Sequence, residues 1–327
     1  MDYKKAGVNR KKGDEASFRA YTLAKKTYRK EVQEAEGIPY FGASFKDYKH
    51  LCLLAGSDGV GTKLKIAFMM GIHNTVGIDL VAMSVNDLIR RGAEPIIFLP
   101  YLATSKIVPE VAEEIAKGVA EGCRMADCSI MGGETAELPD FYKKGEYDLA
   151  GSAIGVVEKD GIIIGKNIRK GDVLIGLASS GLHSNGFSLA RRVLLTKYKL
   201  EEKIDELGGK RLGEEMLIPT KIYVKSVLKL LKTEVEIHGI AHITGGGIIE
   251  KLSKIMPKGL VAKVKFDSWK VWPIFNLIQK NGGIDKEEMY RTFNMGLGMI
   301  LVVPKKEVTG ILETVEGTKI VGEVKAE

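Results

Sequence analysis

The chain has 327 residues, of which 45% are hydrophobic and 28% charged, with a formal net charge of +7. That length exceeds one ordinary hydrophobic core and suits two domains of about 150 residues each. No stretch approaches the ~18 uninterrupted apolar residues of a membrane span, and the polar start Asp2-Tyr3-Lys4-Lys5 carries no secretory hydrophobic segment, so a cytoplasmic location is expected. The basic residues are interleaved with acids, as in Glu113-Glu114 and Glu201-Glu202-Lys203. There is no arginine-rich arm, zinc-finger spacing or aromatic RNA-binding signature, which points to small phosphorylated ligands and not to nucleic acid. Cys52, Cys123 and Cys128 are odd in number and lack C-x-x-C spacing, so they read as buried free thiols.

In chain order, residues 1–50 are basic and weakly patterned, with a helix-like piece over Ala16 to Lys30 and a loop marked by Gly37, Pro39, Gly42 and Ala43. Leu51 to Ala55 reads as a strand that empties into Gly56-Ser57-Asp58-Gly59-Val60-Gly61-Thr62-Lys63. Glycines there would let backbone N–H groups converge on an anion while Lys63 adds a point charge, although Thr62 and Lys63 stand in the reverse order to a Walker loop. A short helix follows over Leu64 to Met70. Gly77 to Gly92 predicts a buried helix capped by Asp79, with Arg90 and Arg91 in its last turn. Asp79, Met83 and Asn86/Asp87 share one face. Asp87 enters an apolar setting and requires a partner, for which Arg91 at i+4 is the simplest choice.

Ile96 to Leu99 is the next strand, and Pro109 opens an amphipathic helix to about Met125. Ser129-Ile130-Met131 leads into Gly132-Gly133-Glu134, and Tyr147 to Val157 returns as a strand. The polar segment from Glu158 to Gly171 marks the boundary, giving domains over 1–160 and 161–327. The second domain alternates strand and helix. Asp172 to Ala178 feeds the loop Ser179 to Gly186 and a helix from Phe187 to Tyr198. A helix is expected from Pro219 to Leu231. Ile237 to Ile243 ends in Thr244-Gly245-Gly246-Gly247 before a helix from Ile248 to Met256. Val261 to Phe266, Trp269 to Gln279, Met299 to Val303, Glu307 to Val315 and Thr318 to Val324 complete the alternation. Glycine-rich loops between strand and helix are ready anion sites.

Asp58, Asp87 and Glu134 lie at or beside strand ends. If they converge, their mutual repulsion calls for a hard divalent cation, most often Mg²⁺ where phosphates are bound. His238 and His242 lie about 13 Å apart on a strand and cannot share a metal. His183, in a loop polar throughout, reads as a ligand contact. His50 and His73 sit in ordinary loop positions. Nucleophile elbow, dinucleotide fingerprint and kinase motifs are absent. The residues alone therefore describe a two-domain α+β phosphate binder with a metal.

Longer motifs sharpen this. Gly56 to Leu64, Gly77 to Pro95, Met131 to Pro139, Ser179 to Leu189, Pro219 to Val227, Ala241 to Gly247 and Met289 to Met299 resemble those of the phosphoribosylformylglycinamidine cyclo-ligases, the AIR synthetases. The resemblance covers nearly the whole chain. It implies ATP-dependent closure of the imidazole ring of formylglycinamidine ribonucleotide, giving aminoimidazole ribonucleotide, ADP and phosphate in purine biosynthesis. It also implies an N-terminal mixed or antiparallel sheet domain that pairs in a homodimer, and a C-terminal α/β sheet domain with flanking helices. Asp58 and Asp87 would be Mg²⁺–phosphate ligands, with Gly132 to Glu134 on the nucleotide and Glu134 a further acid for the metal. Gly59, Gly61, Thr62, Lys63, Gly132 and Gly133 would hold ATP, and Lys63 would serve phosphoryl transfer. His183 or His242 would move the proton, and Ser184, Asn185 and Thr244 to Gly247 would bind the substrate. The chain departs from the family pattern at Asn9-Arg10-Lys11-Lys12, at Ile38-Pro39-Tyr40 and at Pro100. The alternatives are a sibling ATP-dependent phosphotransferase and a non-catalytic phosphate binder.

Overall fold

The computed structural model describes residues 48–233 and 235–327, and before them Glu15, Arg19 and two short strands. The basic segment at residues 9–12, the 38–40 departure and nearly all of the expected 16–30 helix lie outside the described residues. The N-terminal unit contains β1 (Val32–Glu34), β2 (Gly42–Phe45), β3 (Tyr48–Gly59), α1 (Leu64–Met70), α2 (Val76–Ile89), β4 (Glu94–Thr104), α3 (Pro109–Ala126), β5 (Ser129–Ile130), β6 (Glu134–Glu137) and β7 (Tyr147–Glu158). Its sheet runs β1-β2-β3-β7-β4-β5, with β6 also on β4. The pairs are antiparallel except for β4 with β5 and β4 with β6, so the sheet is mixed.

The C-terminal unit contains β8 (Val173–Ala178), α4 (Phe187–Leu194), a two-stranded ribbon of β9 (Lys203–Ile204) and β10 (Lys210–Arg211), α5 (Leu212–Leu217), α6 (Val224–Leu231) and β11 (Gly239–His242). It continues with α7 (Gly247–Ser253), β12 (Leu260–Val264), α8 (Pro273–Gly282), α9 (Lys286–Thr292), β13 (Leu297–Val303), α10 (Val308–Thr314) and β14 (Thr318–Ala326). The main sheet runs β11-β13-β8-β14-β12 and is antiparallel at every pairing. Its interior strand β13, flanked by β11 and β8, is buried at every residue, which explains the continuous apolar run Met299 to Val303.

The helix α2 is the axis of the N-terminal unit. Nearly all its residues are buried, because one side packs on β3 and β7 and the other on α3. Close approach to α3 depends on glycine: a Cβ at Gly77 would lie 2.4 Å from the Ile115 carbonyl oxygen, and one at Gly118 2.2 Å from that of Asn74. Thr75, not Asp79, occupies the N-cap position. Asp79 lies in the first turn with its side chain fully buried, and that burial sets up the site.

Candidate active site

The glycine-rich octet differs from its sequence reading in conformation. β3 continues through Gly56, Ser57 and Asp58 to Gly59, paired residue for residue with Ala150 to Ala153 of β7. Only then does the chain turn, at Gly61 with φ +70 and a single 3₁₀ turn over Gly61–Lys63. Asp58 is thus fixed on a strand, and no loop of free N–H groups surrounds an anion.

Lys63 is corrected most. Its ammonium is fully buried and contacts both carboxylate oxygens of Asp79, at 2.9 and 2.8 Å. It also donates to the carbonyls of His183 at 3.1 Å and Ile218 at 2.7 Å. Burial lowers its pKa, opposed by the Asp79 charge. Its hydrogen-bonding capacity is spent within the protein, so it does not face a phosphate. Asp79 Oδ1 further accepts from Ser184 Oγ at 3.0 Å, Thr220 N at 2.7 Å and Thr220 Oγ1 at 2.6 Å. This knot fastens α2 to two loops of the C-terminal unit.

One turn after Met83, α2 presents Asp87. It lines a small cavity of about 30 Å³ together with Asp58 and Ser84. His242, at the end of β11, bonds Asp87 Oδ1 through Nδ1 at 2.9 Å, and Arg90, not Arg91, donates to the same oxygen at 3.1 Å. A carboxylate can only accept, so Nδ1 carries the imidazole proton and Nε2 presents its lone pair. That Nε2 is buried without a hydrogen-bond partner. Burial pushes the Asp87 carboxyl up, but Arg90, the His242 hydrogen bond and Lys251 outweigh it and hold the group well below the usual carboxylate range. Asp58 is raised, first by burial and then by the Asp87 charge, against a hydrogen bond from the Gly59 N–H. Burial lowers the Lys251 amine as well, opposed by Asp87.

Glu134 does not join this pair. Asp58 is on β3 and Glu134 starts β6, three strand spacings away across β7 and β4, about 14 Å at normal sheet spacing. Among the described residues no group of three or more His, Cys, Asp or Glu side chains is gathered to hold a metal. Gly132, Gly133 and Glu134 instead line a separate cavity of about 300 Å³ with Pro100, Tyr101, Ile115 and Val119. Gly133 has φ +121, and a Cβ there would stand 2.6 Å from the Pro100 carbonyl oxygen, so only glycine fits.

The other loop residues meet in the cleft between the units. Asn185 Oδ1 accepts the Gly245 N–H at 3.0 Å, tying the two polar loops together. Gly246 and Gly247 have φ +107 and +61 and are buried, while Thr244 and Gly245 remain partly open. A Cβ on Gly247 would lie 2.0 Å from the Tyr290 carbonyl oxygen, so this glycine serves packing. His183 adopts φ +61, and its Nε2 accepts from the Ser180 N–H at 3.1 Å. Burial, then the nearby His242, Lys63 and Lys221, lower its pKa well below the ordinary value. It is a neutral, enclosed ring.

The sequence marks Asp79 only as a helix cap and marks neither Thr220 nor Lys251 individually. A signal for Asp79 was present: an acid among apolar neighbours demands a cation. The demand falls harder on Asp79, whose side chain is 0% exposed, than on Asp87, at 43%. Lys251 had no motif to mark it.

The fold pairs two sheet-bearing units, and Asp87 of the first bonds His242 of the second. The profile "AIR synthase related protein, N-terminal domain" matches residues 44–157, and "AIR synthase related protein, C-terminal domain" matches 169–327. Among curated relatives, the phosphoribosylformylglycinamidine cyclo-ligase of Thermoanaerobacter pseudethanolicus is 52% identical over 332 residues, 99% of this chain and 97% of its own. That of Brevibacillus brevis is 50% identical, over 96% of this chain and 91% of its own. The chain belongs to the phosphoribosylformylglycinamidine cyclo-ligase family. Among solved structures, thiamine monophosphate kinase from Aquifex aeolicus shares the fold at TM-score 0.62 and 18% identity, covering 88% of each chain. T. maritima PurL complexed with FGAR does so at TM-score 0.59 and 18% identity, over 91% of this chain and 44% of that one.

Proposed function

We propose that the cleft holding Asp58, Asp87 and His242 is where this cyclo-ligase closes the imidazole ring of formylglycinamidine ribonucleotide. The observation that carries the assignment is the unpartnered Nε2 of His242, buried in the cleft with Asp87 bound to its other nitrogen. A formamide oxygen leaves poorly, and transfer of the ATP γ-phosphoryl group to it makes phosphate the leaving group. The ribose-bearing amidine nitrogen then attacks the activated carbon and loses a proton, with ADP and phosphate released. His242 Nε2 accepts that proton, and the Asp87 charge stabilises the imidazolium formed. His183, enclosed and neutral, is not the acceptor. Its loop positions Asn185, which with Thr244 and Gly245 faces the substrate, while the Ser184 hydroxyl is held by Asp79 and Thr220.

Two carboxylates without a third acid suit Mg²⁺, which is usually bound by one or two carboxylates plus substrate phosphates. The raised pKa of Asp58 beside Asp87 marks a pair that a cation would relieve. Bound there, the ion would neutralise charge on the transferred phosphoryl group. Glu134 is left out of this set. The apolar cavity beside Gly132 and Gly133 suits the base of ATP, and the domains divide near residue 160. Lys63 acts as a positioning residue through Asp79.

The open face of the N-terminal sheet supports a homodimer. On it lie Leu53, Ala55, Ile97, Leu99, Ile154 and Val156, which the registers of β3, β7 and β4 bring side by side. Among the described residues no helix is long and apolar enough to cross a membrane, and a cytoplasmic location fits the use of ATP.

The test follows aminoimidazole formation with ATP, Mg²⁺ and the ribonucleotide. His242→Gln and Asp87→Asn should each lower turnover by roughly 10²–10⁴-fold. Wild-type turnover in His242→Gln would remove it as the proton acceptor. ATP hydrolysis without aminoimidazole would point to another acceptor.

A further inference from the structure

We infer that Cys123 and Cys128 form a reversible redox site, closing to an intrachain disulfide when the protein meets a low-molecular-weight disulfide of the glutathione type. The helix α3 ends in a Schellman turn. Asp127 takes φ +55, its N–H bonds the Arg124 carbonyl at 3.3 Å, and the Cys128 N–H bonds the Cys123 carbonyl at 2.9 Å. Such a turn brings together the side chains that flank it, usually as an apolar contact. Here both flanking side chains are thiols, at the two ends of the Cys128 N–H to Cys123 carbonyl bond. A disulfide asks for Cα atoms about 4.4–6.8 Å apart, and the 2.9 Å backbone bond between the two residues holds their main chains close.

The two sulfurs differ in access and acidity, which sets the order of events. Cys123 is 3% exposed, while Cys128 is partly exposed. The neighbouring Cys123 thiol lowers the Cys128 thiol, against burial and the Asp127 charge, and Cys123 itself is raised. The Cys128 thiolate therefore attacks the small disulfide, releasing one thiol and leaving a mixed disulfide. Cys123 loses its proton to solvent and displaces the second thiol, forming the Cys123–Cys128 bond. Two protein thiols are oxidised and one small disulfide is reduced to two thiols. Cys52, buried on β3 at 1% exposure and raised in pKa by burial, has no such route.

Closure would reach the nucleotide cavity, a consequence that rests on the function proposed above. Cys128 directly precedes β5, and Ile130, Gly132, Gly133 and Glu134 line the 300 Å³ cavity. Drawing Cys128 toward α3 moves that rim.

The experiment exposes the full-length protein to oxidised glutathione, blocks free thiols and digests with trypsin without reduction. Arg124 lies between the two cysteines, so a disulfide joins the peptides 118–124 and 125–143, and dithiothreitol separates them. The expected result is that linked pair, with Cys52 still reduced and no link in Cys128→Ser. Glutathione adducts on Cys128 without a link, or no reaction in the folded protein, would overturn the site. Oxidised wild type should lose turnover on the order of tenfold, since displacements near 1 Å at a distance from the chemistry can cost that and more, while Cys128→Ser treated alike should not. A link formed with turnover unchanged would overturn the control of the cavity. Failure to make aminoimidazole in either redox state would count against the reaction assigned above, while the peptide link would still decide the thiol pair.

Discussion

Lys63 and Asp79 are both fully buried, and between them they engage the backbone or side chains of His183, Ser184, Ile218 and Thr220. A buried ion pair is weak evidence of net stability, because desolvation opposes the attraction. Losing one partner is another matter, since the survivor keeps an uncompensated charge. Lys63→Met should destabilise the fold by about 3–5 kcal/mol, and adding Asp79→Leu should recover part of that loss. Urea titration of the single and double variants checks this, and a double variant as unstable as the sum of its parts would remove the pair from the account. The lysine's chemistry was legible in the sequence as a cation beside glycines and a hydroxyl. Its address was not, because residues 63, 79, 183 and 220 meet only through the tertiary fold. The same holds for the bond between Asp87 and His242, which lie 155 residues apart.

At the scale of elements, glycine decides how α2 and α3 cross. The pair has no room for Cβ atoms at Gly77 and Gly118, where the opposing atoms are backbone and cannot rotate away. Gly118→Ala suits a helix by propensity but forces the helices apart, and overpacking of this kind costs about 1–3 kcal/mol. A lowered thermal midpoint is the expected reading, and an unchanged or raised one would mean that the helices separate freely. Strongly patterned elements such as α3 and β7 were legible to within a residue or so, because amphipathic and alternating periods follow directly from burial on one face. The expected helix from Pro219 failed in its first turn for a specific reason. Asp79 takes the Thr220 N–H, and Asn86 takes the Tyr223 N–H and donates to the Lys221 carbonyl. Side chains of α2 thus claim backbone groups of residues 220–223, and α6 starts only at Val224. Likewise β3 overran its expected end, because pairing with β7 continued through Gly59. Local glycine content suggested a turn, and the neighbouring strand overrode it.

For the whole molecule the unbalanced feature is the N-terminal sheet. α2 packs on one face, where Cys52 and Leu54 are buried, while on the opposite face Leu53 is left 39% exposed. Contiguous apolar surface of this kind marks an interaction site; it is aliphatic at its centre, with Glu94 beside Val156 and Glu158 beside Leu51 at its edge, so no cation there recognises an anionic partner. In the homodimer proposed above a second copy of the same sheet would be the self-complementary occupant, and two-fold pairing would place Leu53 of each protomer in the buried interface. Leu53→Glu then buries a carboxylate in each protomer without a cation to meet it, a penalty of several kcal/mol per charge. In the isolated chain the same residue faces water and the fold is unaffected. Sedimentation velocity should therefore show the wild type at twice the chain mass and Leu53→Glu at the chain mass, with matching circular dichroism. A variant that remains dimeric would move the interface elsewhere, and a wild type that sediments as a single chain would leave this face without a partner of its own kind.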